Sequence, residues 1–113
     1  LNKDHVKKIA GILLNEFSRR CKEQLNITLE VRPSAKELIS EAGFDEKYGA
    51  RPLRRAIQRL LEDPLSEEIL EGKWQSGMIV EADAGDTVAV GVSKKEVKFV
   101  VKNHKELEKN DDL

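Results

Sequence analysis

The spacing of apolar residues changes period along the chain, and that change restricts the fold more than any other feature. Up to Gly72 most apolar residues recur every three to four positions, the repeat of a helix with one buried face. Beyond Gly77 they crowd into short runs rich in Val, Ile and Phe, the pattern of strands. Val6, Ile9, Leu13, Phe17 and Cys21, with Ala10 and Leu14 broadening the stripe, predict an amphipathic helix of about twenty residues. Asn2 suits its N-cap and Asp4 its positive first turn. Ile27, Leu29 and Val31 alternate with Thr28, Glu30 and Arg32, as in a short strand with one buried face.

Pro33 and Ser34 open a second helix, either with Ser34 and Glu37 as a capping box or with Pro33 at the first helical position. Leu38, Ile39 and Ala42 supply its apolar face, and Gly43 ends it. After a loop over 44–50, Pro52 starts a third helix that carries Leu53, Ala56, Ile57, Leu60 and Leu61 inward. Pro64 lacks an N–H and predicts a break, with Asp63 capping a fourth helix that runs through Ile69 and Leu70 to Gly72. Three antiparallel strands follow over 78–83, 87–92 and 97–101, separated by Ala84-Gly85-Asp86 and Ser93-Lys94-Lys95. The expected fold is α+β, with about four helices packed on one side of a small, mainly antiparallel sheet. It divides into one domain over 1–102, helical over 1–72 and stranded over 76–102, and a frayed polar tail over 103–113.

At 113 residues the chain has room for one domain, and its start at Leu1 suggests a piece of something longer. Charged residues reach 36%, but the net charge is only −1, which argues against attachment to nucleic acid or to an anionic membrane by bulk charge. No apolar run approaches the roughly 20 residues that span a bilayer. The single cysteine, Cys21, excludes an internal disulfide and points to a reducing cytoplasm. The chain has no Gly-rich phosphate loop and no dinucleotide fingerprint, and its two histidines, His5 and His104, have no partner at metal-ligand spacing, so no metal site is expected.

Arginines are unevenly placed: Arg51, Arg54, Arg55 and Arg59 fall within nine residues that contain no acid. Arg51 immediately precedes Pro52, at the positive end of a helix dipole, where a cation is disfavoured unless an anion joins it. Backbone N–H groups and a guanidinium can then converge on the same oxygens, which makes Arg51 a candidate phosphate contact. The bland alternative leaves Arg51 solvated or paired with Asp45 or Glu46. Arg55 and Arg59 share a face and suit a solvated, ion-paired stripe, with Arg59 able to reach Glu62 or Asp63.

Gly49-Ala50-Arg51-Pro52-Leu53-Arg54-Arg55-Ala56-Ile57, followed by Leu61-Glu62-Asp63-Pro64-Leu65-Ser66 and Ile69-Leu70-Glu71-Gly72, resembles the C-terminal small subdomain of the Clp class of AAA+ chaperone ATPases. The likeness is strongest to the ClpC branch, with ClpA, ClpB and ClpE as near relatives. Val6-Lys7-Lys8-Ile9, Ala35-Lys36-Glu37-Leu38-Ile39 and Gly43-Phe44-Asp45 leading into Tyr48 add to it. The resemblance implies a lid over ATP or ADP held in the full-length protein, with Arg51 as the sensor-2 residue that reaches the γ-phosphate. It places Ala50 close to the nucleotide and Ile9 and Leu13 beside the adenine, although both also fit an ordinary core. The implied partners are the large AAA+ subdomain of the same chain, neighbouring subunits of a hexamer, unfolded protein substrates and a Clp-type protease ring reached through segments outside this chain. The phosphate loop and magnesium carboxylate would lie on the large subdomain, so this chain alone should hydrolyse no ATP.

Two other classes compete. A nucleic-acid-binding module could use the arginine-rich helix, but it predicts several phosphate contacts and a steep salt dependence. The balanced charge, the lack of an aromatic stacking platform and the acids Glu62, Asp63, Glu67 and Glu68 oppose it. A protein-binding module could instead use the strand edge near Val97 and Val101.

Overall fold

The computed structural model describes residues 2–89 and 91–103. Helix α1 spans Lys3–Leu25 and strand β1 Thr28–Val31, and α2 follows over Pro33–Ala42. Helices α3 (Leu53–Ile57) and α4 (Asp63–Leu70) are joined by a π-helical turn over Gln58–Glu62, and a hairpin of β2 (Ile79–Ala89) and β3 (Val92–Val101) completes the element order. The sheet is mixed, in the order β1-β2-β3: β1 pairs parallel to β2, and β2 antiparallel to β3.

Local chemistry sets the boundaries of α1. The Asn2 side chain accepts from the His5 N–H at 3.0 Å, and the His5 ring nitrogen Nδ1 accepts in return from the Asn2 N–H at 3.4 Å, closing a capping box. At the other end Asn26 adopts φ +53°, a left-handed conformation that asparagine tolerates. Its side chain donates to Ser76 and its carbonyl accepts from the Gly77 N–H at 2.8 Å, so the end of α1 is tied to the approach to β2. Between these ends Val6, Ala10, Leu14, Phe17 and Cys21 are buried at steps of three and four. Burial pushes the Cys21 thiol above its ordinary pKa, against the opposing pull of the Arg20 charge.

One core joins the helices to the inner face of the sheet. Ala35 and Ile39 from α2, Leu53, Ile57, Leu60, Leu61 and Leu65 from the third helical segment, and Leu29, Val80, Ala82 and Val97 from the strands belong to it. Trp74 meets Phe99 edge-on, with ring centroids 5.3 Å apart. The outer face of the sheet is charged: the Lys102 ammonium lies 3.3 Å from both Glu30 and Glu81, spanning the two neighbouring strands.

The α+β class and helices-on-sheet arrangement match the sequence expectation, while four details differ from it or decide between its alternatives. The expected break at Pro64 does not occur, so among the described residues the helices form three rods rather than four. Glu62 and Asp63 keep helical backbone angles, and the Asp63 N–H donates to the Gln58 carbonyl five residues back. The widened turn moves the carbonyls that the proline ring would strike in a regular α-helix. Second, the described residues form a sheet of three strands, not four, because Ala84-Gly85-Asp86 and Ser93-Lys94-Lys95 pair within the hairpin instead of turning. Gly85 is there for close approach, since a Cβ at that position would sit 2.7 Å from the Lys98 side chain.

Third, of the two openings expected for α2 the structure takes the one with Pro33 first in the helix, not the Ser34 capping box. Arg32 holds the N-cap position with Pro33 first in the helix, while the Ser34 hydroxyl donates to Asp83 and accepts from the Ala84 N–H at 3.0 Å. Fourth, Ala42 is exposed and Ser40 is buried in its stead, its hydroxyl satisfied by the Lys36 carbonyl at 2.7 Å. Gly72 does end α4, at φ +78°. Its N–H bonds to the Ile69 carbonyl and that of Lys73 to the Glu68 carbonyl, which makes a Schellman closure. Of the expected tail, Asn103 accepts from the Ile79 N–H and donates to the Gly77 carbonyl; residues 104–113 lie outside the described residues.

Candidate functional site

The loop between α2 and α3 is built around Asp45. Its N–H donates to the Gly49 carbonyl at 2.9 Å, and the Gly49 N–H returns the bond at 2.7 Å. The Asp45 carboxylate accepts from the N–H groups of Lys47 and Tyr48 at 2.9 and 2.8 Å. An aspartate closing its own backbone turn in this way needs a partner with φ above zero, and Gly49 supplies it at +63°. The Arg51 N–H then bonds to the Tyr48 carbonyl at 3.2 Å and the Leu53 N–H to that of Ala50 at 3.0 Å, leading into α3.

The far side of this loop is anchored by Leu53, which is 1% exposed. Gly43, at the end of α2, lies directly beneath it: an added Cβ would be 2.8 Å from the Leu53 Cα. Arg51 is therefore held between a closed turn and a buried anchor, with Pro52 as the N-cap of α3 and no side chain capping the helix. The helix opens one residue later than the sequence pattern suggests, within the usual scatter of helix ends.

The Arg51 side chain is exposed, and its guanidinium carbon lies 5.2 Å from the centroid of the Tyr48 ring. The Lys47 ammonium is also 5.2 Å from that ring. Among the described residues no ion pair involves Arg51, Arg54, Arg55 or Arg59. The possible pairing of Arg51 with Asp45 or Glu46 is not formed; the Asp45 oxygen Oδ2 accepts from two backbone amides instead. Arg59 likewise pairs with neither Glu62 nor Asp63. Among the described residues Arg51 thus presents a guanidinium whose N–H donors are uncommitted, next to an aromatic ring that is half exposed.

The other candidate residues lie on the helical layer. Ala50, Ile9 and Leu13 are each half-buried and pack against the common core, which leaves part of each available. Leu13 also lines a groove between α1 and α3 with Glu16, Arg20, Arg54 and Ile57. An uncommitted guanidinium suits a phosphate oxygen, and half-exposed aliphatic side chains suit the flat face of a base. Among the described residues no cluster of three or more His, Cys, Asp or Glu could hold a metal ion, and no helix is long and apolar enough to cross a membrane.

The sequence pattern alone makes Asp45 a possible partner of Arg51 and gives Tyr48 no role beyond its place in the motif. The signal for Asp45 was present: an aspartate four residues before a glycine, in a segment without apolar periodicity, is the composition of a self-bonded turn. The placement of Tyr48 three residues before Arg51 carries meaning only once that turn is known.

Comparison with known proteins adds independent information. Residues 1–82 match the family described as the C-terminal, D2-small domain, of ClpB protein. The chaperone protein ClpC4, chloroplastic, of Oryza sativa subsp. japonica is 51% identical over 87 residues, covering 75% of this chain and 9% of that protein. The ATP-dependent Clp protease ATP-binding subunit ClpC of Staphylococcus saprophyticus is 47% identical over 83 residues, covering 74% of this chain and 10% of that one. The negative regulator of genetic competence ClpC/MecB of Bacillus subtilis (strain 168) is 42% identical over 86 residues, covering 76% and 10%. The chain spans 9 to 10% of the length of these relatives.

Proposed function

Because the chain belongs to the D2-small domain family of the Clp AAA+ chaperone ATPases, we propose that it is the nucleotide-sensing lid of an ATP-driven, ring-forming protein unfoldase, with Arg51 as its sensor-2 arginine. The observation that carries this reading is the exposed guanidinium of Arg51, fixed at its base by the Asp45 turn and the Leu53 anchor and free of any protein anion among the described residues. Phosphoryl transfer asks for positioned cations around the γ-phosphate oxygens more than for covalent help. An arginine on a small subdomain provides one such cation and couples nucleotide state to movement of the whole unit.

In this reading ATP or ADP is held in the full-length protein, with Ala50 near the nucleotide and Ile9 and Leu13 flanking the adenine. The large AAA+ subdomain of the same chain supplies the magnesium and phosphate grip. Neighbouring subunits of a hexamer, unfolded protein substrates and a Clp-type protease ring are the partners. A reducing, aqueous compartment such as the cytoplasm suits the lone, buried Cys21.

The test is Arg51→Ala in the full-length protein. The variant is expected to fold as the parent does, because the side chain is exposed, and to lose nucleotide-dependent turnover or its coupling to unfolding of a substrate protein. Unchanged nucleotide affinity together with unchanged turnover removes Arg51 from the site. The 113-residue chain by itself is expected to release no phosphate from ATP.

A further inference from the structure

We propose that Tyr48 is a positioning residue for Arg51, its ring holding the guanidinium in front of the loop so that the N–H edges are ready for an anion. This deepens the sensor-2 reading of Arg51 and rests on it. Three observations lead to it. The Arg51 guanidinium carbon lies 5.2 Å from the Tyr48 centroid, inside the range of a cation–π contact. Tyr48 is 50% exposed, so the ring is not serving the core. The turn that carries it is closed by Asp45 and Gly49 through main-chain and carboxylate bonds, so the ring is not required to close the turn.

An arginine side chain carries large rotamer entropy, and a group that samples many rotamers spends little time where a phosphate would need it. A ring face restrains the guanidinium without using any of its N–H donors, which a carboxylate partner would occupy. The Oδ2 atom of Asp45 accepts from the amides of Lys47 and Tyr48, and among the described residues neither Asp45 nor Glu46 forms an ion pair with Arg51. The Lys47 ammonium also lies 5.2 Å from the centroid of the same ring. The contact requires the π-face of residue 48 and makes no use of its hydroxyl.

The experiment has two arms. In the 113-residue chain, NMR of the Arg51 δ and ε protons should show upfield ring-current shifts in the parent and in Tyr48→Phe, and a return toward ordinary values in Tyr48→Leu. Identical shifts in all three overturn the proposal. In the full-length protein, Tyr48→Leu should lower kcat/KM for ATP about two- to fivefold, the scale of an exposed cation–π contact, and Tyr48→Phe should restore it. In an Arg51→Ala background Tyr48→Leu should cost nothing further; an equal additional loss there shows that the ring acts independently of Arg51 and overturns the proposal.

Parent-like turnover in Tyr48→Leu, with Arg51→Ala impaired, sinks the positioning role and leaves the sensor-2 reading standing. Parent-like turnover in Arg51→Ala sinks that reading and with it the catalytic purpose of the ring, while the NMR arm still decides whether the ring holds the guanidinium.

Discussion

Arg32-Pro33 and Arg51-Pro52 are the same dipeptide at the opening of a helix, and the chain treats them differently. Arg32 is the N-cap of α2 and its N–H donates to the Ala82 carbonyl at 2.9 Å. Two residues on, Ser34 bonds to Asp83 and to the Ala84 N–H. That opening is stitched to β2. Arg51 lies one residue outside its helix, and the loop behind it is closed on itself through Asp45. A cation before a proline at the positive end of a helix dipole therefore occurs twice here, and by itself does not mark an anion site. What separates the two positions is that the Arg32 backbone is tied to the sheet, whereas the Arg51 guanidinium lies over a half-exposed ring.

The comparison presupposes that both openings ride on a single core. Leu61, fully buried, tests this: Leu61→Ala should destabilise the chain by about 2–5 kcal/mol in urea unfolding, and a loss below about 1 kcal/mol would mean that the core does not hold the two helices together. Next in size is the contrast between the arginines themselves. In the full-length protein Arg51→Ala should reduce turnover about ten- to a hundredfold, the worth of one charge-assisted contact of roughly 1.5–3 kcal/mol, whereas Arg32→Ala should leave it within about twofold. Equal losses would erase the distinction.

Gly43→Ala presses a methyl group into the Leu53 backbone and should cost about 1–3 kcal/mol by thermal or urea unfolding, displacing the opening of α3 but not that of α2. Smallest is Ser34→Ala, which removes two hydrogen bonds at an exposed site. A loss of about 1 kcal/mol is expected, together with faster amide exchange at Ala84; unchanged exchange there would show that the stitch contributes nothing.

The contrast also explains what the sequence could reveal. Helix α1, β1 and α2 were legible because period and caps are local: Asn2, the Ile27-Leu29-Val31 alternation and Pro33 each act within a few residues. Ser34 looks like a cap on the same grounds, but its hydroxyl is claimed by a strand some fifty residues later, and no local rule contains that partner. Gly85 reads as a turn because glycine usually frees the backbone, whereas here it makes room for Lys98 across the hairpin. Ser40 shows the converse, a polar residue placed inward because its own helix satisfies it. For the site, Arg51 was legible through its neighbours in the motif. The uncommitted state of its guanidinium was not, since that depends on where the Asp45 carboxylate points.

The wide turn at Gln58–Glu62 has a mechanical consequence. A π-turn stores one extra residue in the pitch of a rod, turning the stretch beyond it by about 100° relative to an uninterrupted α-helix, and in a free helix the turn could migrate. Pro64 stops that migration on one side, because reverting to a regular α-helix would drive its ring into a carbonyl at a cost of about 3 kcal/mol. The proline works as a pawl. It keeps the wide turn in place, and with it the phase between Leu53 and Leu70 at the two ends of the rod.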